Sequence, residues 1–204
     1  MRRAVQALGV PDPETHSATG AAAPPALLAL KTWAQAQGDA SLVDHCDAFL
    51  ARSPAGTVRL LIGPTGERNL YQVLPRRRVL CLAANAADRW TQLAAVLAVG
   101  ADALWPVEAQ ADWARLPVTV LTHIAMAADW RSPSADFDAV LWHGDADTAL
   151  ALGRALAERP GSLVGLTALP PGSTELPLER LVIERAVSIN TAAAGGNASL
   201  MTMA

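Results

Sequence analysis

The chain has 204 residues, of which 51% are hydrophobic and 17% are charged, and its formal net charge is −3 at pH 7. Its length and apolar fraction suffice for one domain with a buried core. The slightly acidic balance argues against nucleic acid as a partner and against a surface built for anionic lipid. No apolar run reaches membrane-spanning length, and the cysteines Cys46 and Cys81 lack paired spacing. We therefore expect a cytoplasmic protein with reduced thiols, no membrane span and no nucleic acid partner.

The first part of the chain predicts a linker followed by two helices. Residues 1–24 include a stretch rich in Pro, Gly, Ser and Ala without an apolar period, which is typical of a linker. Residues 25–56 form a helical lead-in, because apolar residues recur there at helical spacing. The Gly38-Asp39 pair is predicted to end the first helix and to cap the second.

From residue 57 onward, short apolar runs alternate with alanine-rich helical stretches. Strands that are apolar on both faces and alternate with helices favour a parallel sheet covered on both sides. We therefore predict an α/β fold, a Rossmann-like and mostly parallel doubly wound sheet over residues 57–187, followed by an extended tail over residues 188–204. The strand candidates are TVRLLIG, RVLCLA, ALWPV, VTVLTHI, FDAVLWH and SLVGL.

The common motifs of catalysis and cofactor binding are absent from the sequence. It contains no G-x-G-x-x-G after a strand, no G-x-x-x-x-G-K-[ST], no G-x-S-x-G and no H-E-x-x-H. The histidines have no neighbours at metal-ligand spacing, so each is interpreted as a satisfied or solvated side chain. We predict no catalytic, cofactor-binding or metal residues; the four histidines are His16, His45, His123 and His143.

Two pairs of carboxylates bracket the strand FDAVLWH. Asp136 and Asp138 precede its apolar part, and Asp145 and Asp147 follow it. They are compatible with an acid pair or a cation site, and equally with helix capping and loop solvation. The sequence leaves both interpretations open.

The segment GPTGERNLY, residues 63–71, combines turn residues with a charge pair and an amide. One interpretation is a docking or anion-contacting loop that uses Glu67, Arg68 and Asn69. The other is a hairpin turn in which Arg68 folds back on Glu67.

Several long segments, in the same order, resemble the C-terminal region of bacterial bifunctional proline utilization A enzymes in their longer forms. The resemblance covers the chain from about Pro25 to Ala204. The segments are GPTGERNLYQVLPRRRVLCLA, QLAAVLAVGADALWP, FDAVLWHGDAD, LAERPGSLVGL and ERLVIERAVSINTAAAGGNASLMTMA.

In that family an FAD-containing barrel oxidises proline to pyrroline-5-carboxylate, and an NAD-dependent aldehyde dehydrogenase module oxidises the hydrolysed semialdehyde to glutamate. The resemblance implies that this chain is the additional C-terminal domain, with an aldehyde-dehydrogenase-type Rossmann fold, which covers the tunnel between the two active sites and stabilises the dehydrogenase module. It further implies a non-catalytic chain without cofactors of its own, FAD and NAD belonging to the parent enzyme. The implied partner is the dehydrogenase module, with a homo-oligomer and a peripheral location of the parent at the inner membrane as further options.

Two positions of the resemblance predict that the domain does not bind NAD. In ALWPVEA, Trp105 stands where the dehydrogenases have a lysine that contacts the cofactor ribose. In HGDAD, Asp145 replaces a serine that lies beside the pyrophosphate. Losing a cation and gaining an anion both oppose the binding of a diphosphate.

The tail is predicted to dock on another surface. Its alternating start indicates an edge strand, and its small residues allow a close backbone approach. We expect Asn190, Gly195, Gly196 and Asn197 to pack on the dehydrogenase module, or alternatively to close this domain's own sheet. A functional alternative is a stand-alone Rossmann-like protein that binds a small molecule or docks without catalysis, although a linker directly after Met1 favours a fragment.

Overall fold

The computed structural model describes residues 22–63 and 66–190. The described residues divide into two compact units. One holds residues 56–63, 66–73 and 184–190, and the other holds residues 22–55 and 74–183. Residues 1–21 of the predicted linker and residues 191–204 of the predicted tail lie outside the described part.

The helices and strands of the described residues are numbered in chain order. None of these helices is long and apolar enough to cross a membrane. The helices are α1 (Pro25–Gln37), α2 (Ala40–Arg52), α3 (Ala86–Ala98), α4 (Gln110–Trp113), α5 (Val118–Leu121) and α6 (Ala146–Ala157). The strands are β1 (Val58–Leu61), β2 (Glu67–Pro75), β3 (Arg78–Ala83), β4 (Asp102–Pro106), β5 (Ile124–Ala127), β6 (Ala139–His143), β7 (Gly165–Leu169) and β8 (Val182–Asn190).

The two predicted lead-in helices are present, and the Gly38-Asp39 pair between them ends α1 and caps α2 as predicted. Gly38 has a left-handed φ of 71°, and its N–H group bonds to the carbonyls at the end of α1. The Asp39 carboxylate accepts a hydrogen bond from the Leu42 N–H group at 3.0 Å and caps α2. A side chain at the left-handed position is unfavourable, which is why glycine suits the end of α1.

The larger unit contains a five-stranded parallel sheet in the order β5-β4-β3-β6-β7. All four pairings in this sheet are parallel. From the central β3 the chain adds β4 and β5 on one side and then β6 and β7 on the other. This order is that of a doubly wound fold, so the predicted fold class is confirmed.

Both faces of this sheet are covered, which explains why its strands are apolar throughout. On one face α3 packs against β3, β4 and β6, and α1 and α2 pack on α3. On the other face the cluster includes Leu80 and Leu82 of β3, Leu152 and Leu156 of α6, and Phe137 of the loop before β6. Strands buried on both faces lack the polar alternation of a solvated sheet.

The predicted strand VTVLTHI is wrong over most of its length. Its first residues form the short helix α5, and the strand β5 begins only at Ile124. Pro117 has a φ of −69°, and its carbonyl accepts hydrogen bonds from the N–H groups of Val120 and Leu121. Proline at the start of a helix favours this turn over the strand that the β-branched residues predict.

The segment TVRLLIG forms a strand, but it lies outside the parallel sheet. Its strand β1 pairs antiparallel with β2, from Val58 opposite Gln72 to Leu61 opposite Asn69. The strand β2 was not predicted from the sequence. In the structure it is the central strand of a three-stranded sheet in the order β1-β2-β8. The range 57–187, taken as one Rossmann-like domain from sequence, therefore includes strands that the structure assigns to a separate unit.

The start of the predicted tail is confirmed as an edge strand. It belongs to β8, which lies at one edge of the three-stranded sheet. Val187 and Ile189 are half-buried, whereas Ser188 and Asn190 are exposed. This alternation has the period of two residues that places successive side chains on opposite faces of a strand.

Candidate functional site

The first candidate site is the switch point of the parallel sheet. The connections leave β3 and β6 in opposite directions, and in doubly wound folds ligands bind in the crevice outside the carboxyl ends of two such strands. At this edge, β3 leads into α3 through Asn85, and β6 leads into α6 through Gly144 and Asp145.

The side chain of the N-cap residue accepts a hydrogen bond from a backbone N–H group in the first turn of each of these helices. Asn85 accepts a hydrogen bond from the Asp88 N–H group at 2.8 Å. Asp145 accepts from the backbone N–H group of Thr148 at 2.7 Å and from its hydroxyl at 2.8 Å. These two hydrogen bonds, the backbone one first, lower the pKa of the Asp145 carboxyl. A carboxylate therefore already lies at the helix end that an anionic ligand would approach.

The histidine at the end of β6 is buried and fully bonded. His143 is 0% exposed, and its Nε2 lies 3.0 Å from the carbonyl oxygen of Ser173. A carbonyl only accepts, so Nε2 carries the proton and Nδ1 accepts from Nε2 of Gln92 at 2.9 Å. The same Gln92 nitrogen donates to the carbonyl of Leu82 at 2.9 Å. His143 is thus a satisfied core histidine, as the sequence predicted for the histidines.

A short segment after β7 crosses the carboxyl ends of the central strands. We call this segment, residues 170–173, the strap. The Gly172 N–H group donates to the carboxylate of Asp88 at 2.9 Å. Asp88 is only 3% exposed and also accepts from the side-chain amide of Asn85 at 2.7 Å. With the carbonyl of Ser173 on His143, the strap is bonded to groups on both sides of the switch point.

Two tryptophans further define this edge. The indole of Trp142 lies against Gly144, where an added Cβ would be 2.1 Å from a ring carbon, and its Nε1 donates to the carbonyl of Asp145 at 3.0 Å. Trp105, at the position compared with the cofactor-contacting lysine, is 0% exposed. Its ring packs on that of Trp90 with centroids 5.7 Å apart. Trp105 is therefore part of the core.

The carboxylates around β6 do not form an acid pair. Asp136 bonds to the side chain of Arg77, and Asp138 accepts from the backbone N–H groups of Arg77 and Arg78 at 3.2 Å each, before β6 begins. Asp145 caps α6 after β6 ends. Asp145 therefore has the capping role that the sequence offered as one interpretation. Among the described residues, no group of three or more potential ligands could hold a metal ion.

The cysteines do not have the environment of a nucleophile. Burial raises the pKa of Cys46 to about 12, and burial likewise raises that of Cys81 to about 12. Because the thiolate is the reactive form, both thiols are inert at neutral pH.

The second candidate site is one end of the three-stranded sheet, where β1 ends and β2 begins. The segment GPTGERNLY follows β1 and leads into the antiparallel strand β2, which begins with Glu67, Arg68 and Asn69; Pro64 and Thr65 lie outside the described residues. An added Cβ on Gly63 would lie 2.4 Å from the side-chain amide nitrogen of Asn69, so a side chain at this position would displace the Asn69 amide. Glu67 and Asn190 are exposed, and Arg68 and Asn69 are half-buried.

The strand β8 brings the start of the tail to this same end. Arg76, just after β2, donates its N–H group to the carbonyl of Leu181, just before β8. Earlier in β2, the Tyr71 side chain bonds to Glu184, farther along β8, and this bond raises the pKa of Tyr71. The two strands therefore run antiparallel, and β8 approaches the β1–β2 turn as it ends at Asn190. The other predicted docking residues, Gly195, Gly196 and Asn197, lie outside the described residues.

The apolar surface beside this turn was not predicted from the sequence. Leu60 is 60% exposed, Leu61 is 46% exposed and Ile62 is fully exposed. We call these three residues the apolar edge; they lie on or directly after β1, which pairs only with β2 in the described part of the chain. Two strand-like runs around a Gly-Pro turn are a hairpin signal that was available in the sequence.

Comparison with curated proteins finds relatives of this chain. Bifunctional protein PutA of Salmonella typhimurium is 49% identical over 179 residues, which are 87% of this chain and 13% of that protein. PutA of Escherichia coli is 47% identical over the same shares. PutA of Rhizobium meliloti is 36% identical over 200 residues, 95% of this chain and 16% of that protein. The chain is therefore similar to one segment of the PutA proteins, and it spans only 13–16% of the length of these relatives.

A solved structure agrees with this relationship at the level of the fold. It is that of proline utilization A with proline bound in remote sites, and it matches with a TM-score of 0.51 and 18% identity, over 72% of this chain and 20% of that chain. No protein-family model matches the chain. The match to a segment of PutA confirms the resemblance that the sequence motifs carried.

Proposed function

We propose that the chain is the non-catalytic C-terminal domain of a bifunctional enzyme that converts proline to glutamate through pyrroline-5-carboxylate. In this proposal it covers the tunnel through which the intermediate passes and stabilises the aldehyde dehydrogenase module on which it docks. FAD and NAD belong to the rest of the enzyme, which is cytoplasmic. Its relationship to PutA over 87% of its length supports the parent enzyme.

The observation that carries the docking role is the apolar edge. A β-strand at the edge of a sheet exposes unpaired N–H and C=O groups, and exposed apolar side chains on it call for a covering surface. Leu60 and Leu61 lie on such an edge strand and Ile62 follows it directly, and all three side chains are exposed. In the proposal, the dehydrogenase module covers this edge.

The polar residues at the same end supply the rim of the contact. Glu67, Arg68 and Asn69 begin β2 beside the hairpin turn, and Asn190 ends β8. A docking surface commonly has an apolar centre with polar residues around it, which fix the orientation of the partner. Gly195, Gly196 and Asn197 would continue this contact along the tail.

The absence of catalysis is supported by how the switch point uses its polar groups. His143 and Asp88 are bonded to the chain's own backbone, and Asp145 presents a carboxylate at the N-terminus of α6. Trp105 offers no cation to a cofactor. A dinucleotide would meet an anion and a core aromatic residue where the dehydrogenases offer a serine and a lysine.

The substitution Leu60→Asp in the complete enzyme tests the docking role. A carboxylate buried in the contact would cost several kcal/mol, so the domain should leave the tunnel and the intermediate should escape. We expect a longer lag before NADH appears from proline, with unchanged oxidation of proline by an artificial electron acceptor. The lag is measured as absorbance of NADH after proline is added.

Leu150→Asp is the matched control. Leu150 lies on α6 and is 57% exposed, close to the 60% of Leu60, but it is not part of the three-stranded sheet. Its variant should show the lag of the unmodified enzyme. If Leu60→Asp and Leu150→Asp gave the same time course as the unmodified enzyme, the apolar edge would have no role in docking.

A further inference from the structure

The strap is attached on both sides of the switch point. The N–H group of Gly172 bonds to Asp88, in the first turn of the helix that follows β3, at 2.9 Å. The carbonyl of Ser173 accepts from His143, at the end of β6, at 3.0 Å. Asp88 and His143 are only 3% and 0% exposed, so these two polar side chains at the switch point are buried by the chain itself.

The strap is pre-shaped for this position. Pro170 and Pro171 have fixed φ angles, and the Ser173 N–H group closes a turn on the carbonyl of Pro170 at 3.1 Å. Gly172 has a φ of 76°, which glycine adopts without strain. The two prolines lose little conformational freedom when the strap becomes ordered.

The chain beyond the strap is also anchored within the same unit. Leu176 is fully buried, and its carbonyl accepts a hydrogen bond from the guanidinium of Arg52 at 3.2 Å. The segment is thus held at the switch point and again at the end of α2. Moving it aside would leave the buried carboxylate of Asp88 and the ring of His143 without these partners, which is costly for buried polar groups.

We propose that the strap is a self-occluding element that closes the switch point to dinucleotides, whatever the charge beside it. The pyrophosphate of a bound dinucleotide requires access to the carboxyl ends of the strands and to a helix N-terminus. Here the backbone of Gly172 and Ser173 occupies the polar groups between β3 and β6. The inference deepens the proposed function, on which it rests, because it gives a steric reason for a domain without a cofactor.

Hydrogen–deuterium exchange of the 204-residue chain tests the attachment. We expect the amide of Gly172 to be protected, and Asp88→Ala to make it exchange roughly tenfold faster or more, since a hydrogen bond to a charged group is lost. Ser173→Ala is the control, because it keeps the backbone carbonyl that bonds to His143, and its Gly172 amide should stay protected. Exchange of the Gly172 amide at the rate of an unstructured peptide in the unmodified chain would overturn the inference.

Titration with NAD distinguishes the effect of the strap on NAD binding from the effect of the Asp145 carboxylate. Asp145→Ser removes the carboxylate at α6 but keeps a good helix cap, so the variant should fold. We expect no saturable NAD binding to this variant in calorimetry, because the strap remains in place. Saturable binding to Asp145→Ser alone would overturn the inference and leave the proposed function standing. Saturable binding to the unmodified chain would instead contradict the proposed function.

Discussion

At the scale of single residues, the polar groups near the centre of the fold serve the structure. His143, for which sequence could offer only a satisfied or solvated role, has both ring nitrogens bonded, to Gln92 and to the backbone of Ser173. The sequence could not identify these partners, because Gln92 lies 51 residues before His143 and Ser173 lies 30 residues after it. Only the packing of α3 and the strap on the sheet brings them together.

His45 leads to a prediction about acid stability. Burial lowers the pKa of His45, although the negative charges of Asp39 and Asp44 partly offset this by raising it. The Nδ1 atom of His45 lies 3.3 Å from the hydroxyl of Thr91. The folded protein therefore holds the proton more weakly than the unfolded chain, whose histidine titrates near pH ~6.5. As the pH falls from about 6.5 toward the lower folded value, the unfolded state takes up the proton first and the free energy of unfolding decreases.

The substitution His45→Gln should remove this contribution while keeping a side-chain amide near Thr91. Urea unfolding midpoints at pH 7.5 and pH 5.5 measure the effect. We expect a smaller loss of stability over this range in the variant than in the unmodified chain. An equal loss in both would show that His45 does not contribute to the pH dependence.

At the scale of secondary structure, helix boundaries were the most predictable features. The Gly38-Asp39 pair acts as expected because capping uses atoms within a few residues of one another. Strands were less predictable, as VTVLTHI and the missed β2 illustrate. A short apolar run has the same local character in a strand, in a buried helix and in either of two sheets, so distant contacts decide among them.

The cap of α3 gives a prediction at this scale. Asn85 accepts from the N–H group of Asp88, and its amide nitrogen donates to the Asp88 carboxylate at 2.7 Å. Asn85→Ala removes both bonds and should lower the free energy of unfolding by about 1 kcal/mol or more, measured by chemical denaturation. Asn85→Ser keeps an oxygen for the cap and should recover part of the loss; equal stability of all three chains would contradict a capping role for Asn85.

At the scale of the whole molecule, the order of the strands determines which residues share a site. Four predicted docking residues, Glu67, Arg68, Asn69 and Asn190, lie at one end of the three-stranded sheet because β2 is central and β8 runs toward the hairpin turn. Asn190 lies 121 to 123 positions after the other three in sequence, so no local pattern links it to them. Their role in docking remains a prediction.

The tail gives a prediction for the complete enzyme. Deleting residues 188–204 removes the end of β8 and the predicted docking residues that follow it. If the tail packs on the dehydrogenase module, the deletion should lengthen the lag in NADH formation from proline. Oxidation of proline with an artificial electron acceptor should be unaffected and serves as the control. A time course like that of the full-length enzyme would favour the alternative in which the tail only closes this domain's own sheet.

The α/β class, the caps of the lead-in helices and the similarity to PutA could all be inferred from the sequence. Apolar periodicity, cap chemistry and co-linear motifs are local or additive along the chain. The separate antiparallel sheet, the exposed apolar edge and the closed switch point were decided only by the tertiary structure. The antiparallel sheet and the apolar edge depend on which of several similar strands pair. The closed switch point depends on where the strap crosses the parallel sheet. Pairing and crossing are set by contacts between distant residues, for which a single sequence carries no direct signal.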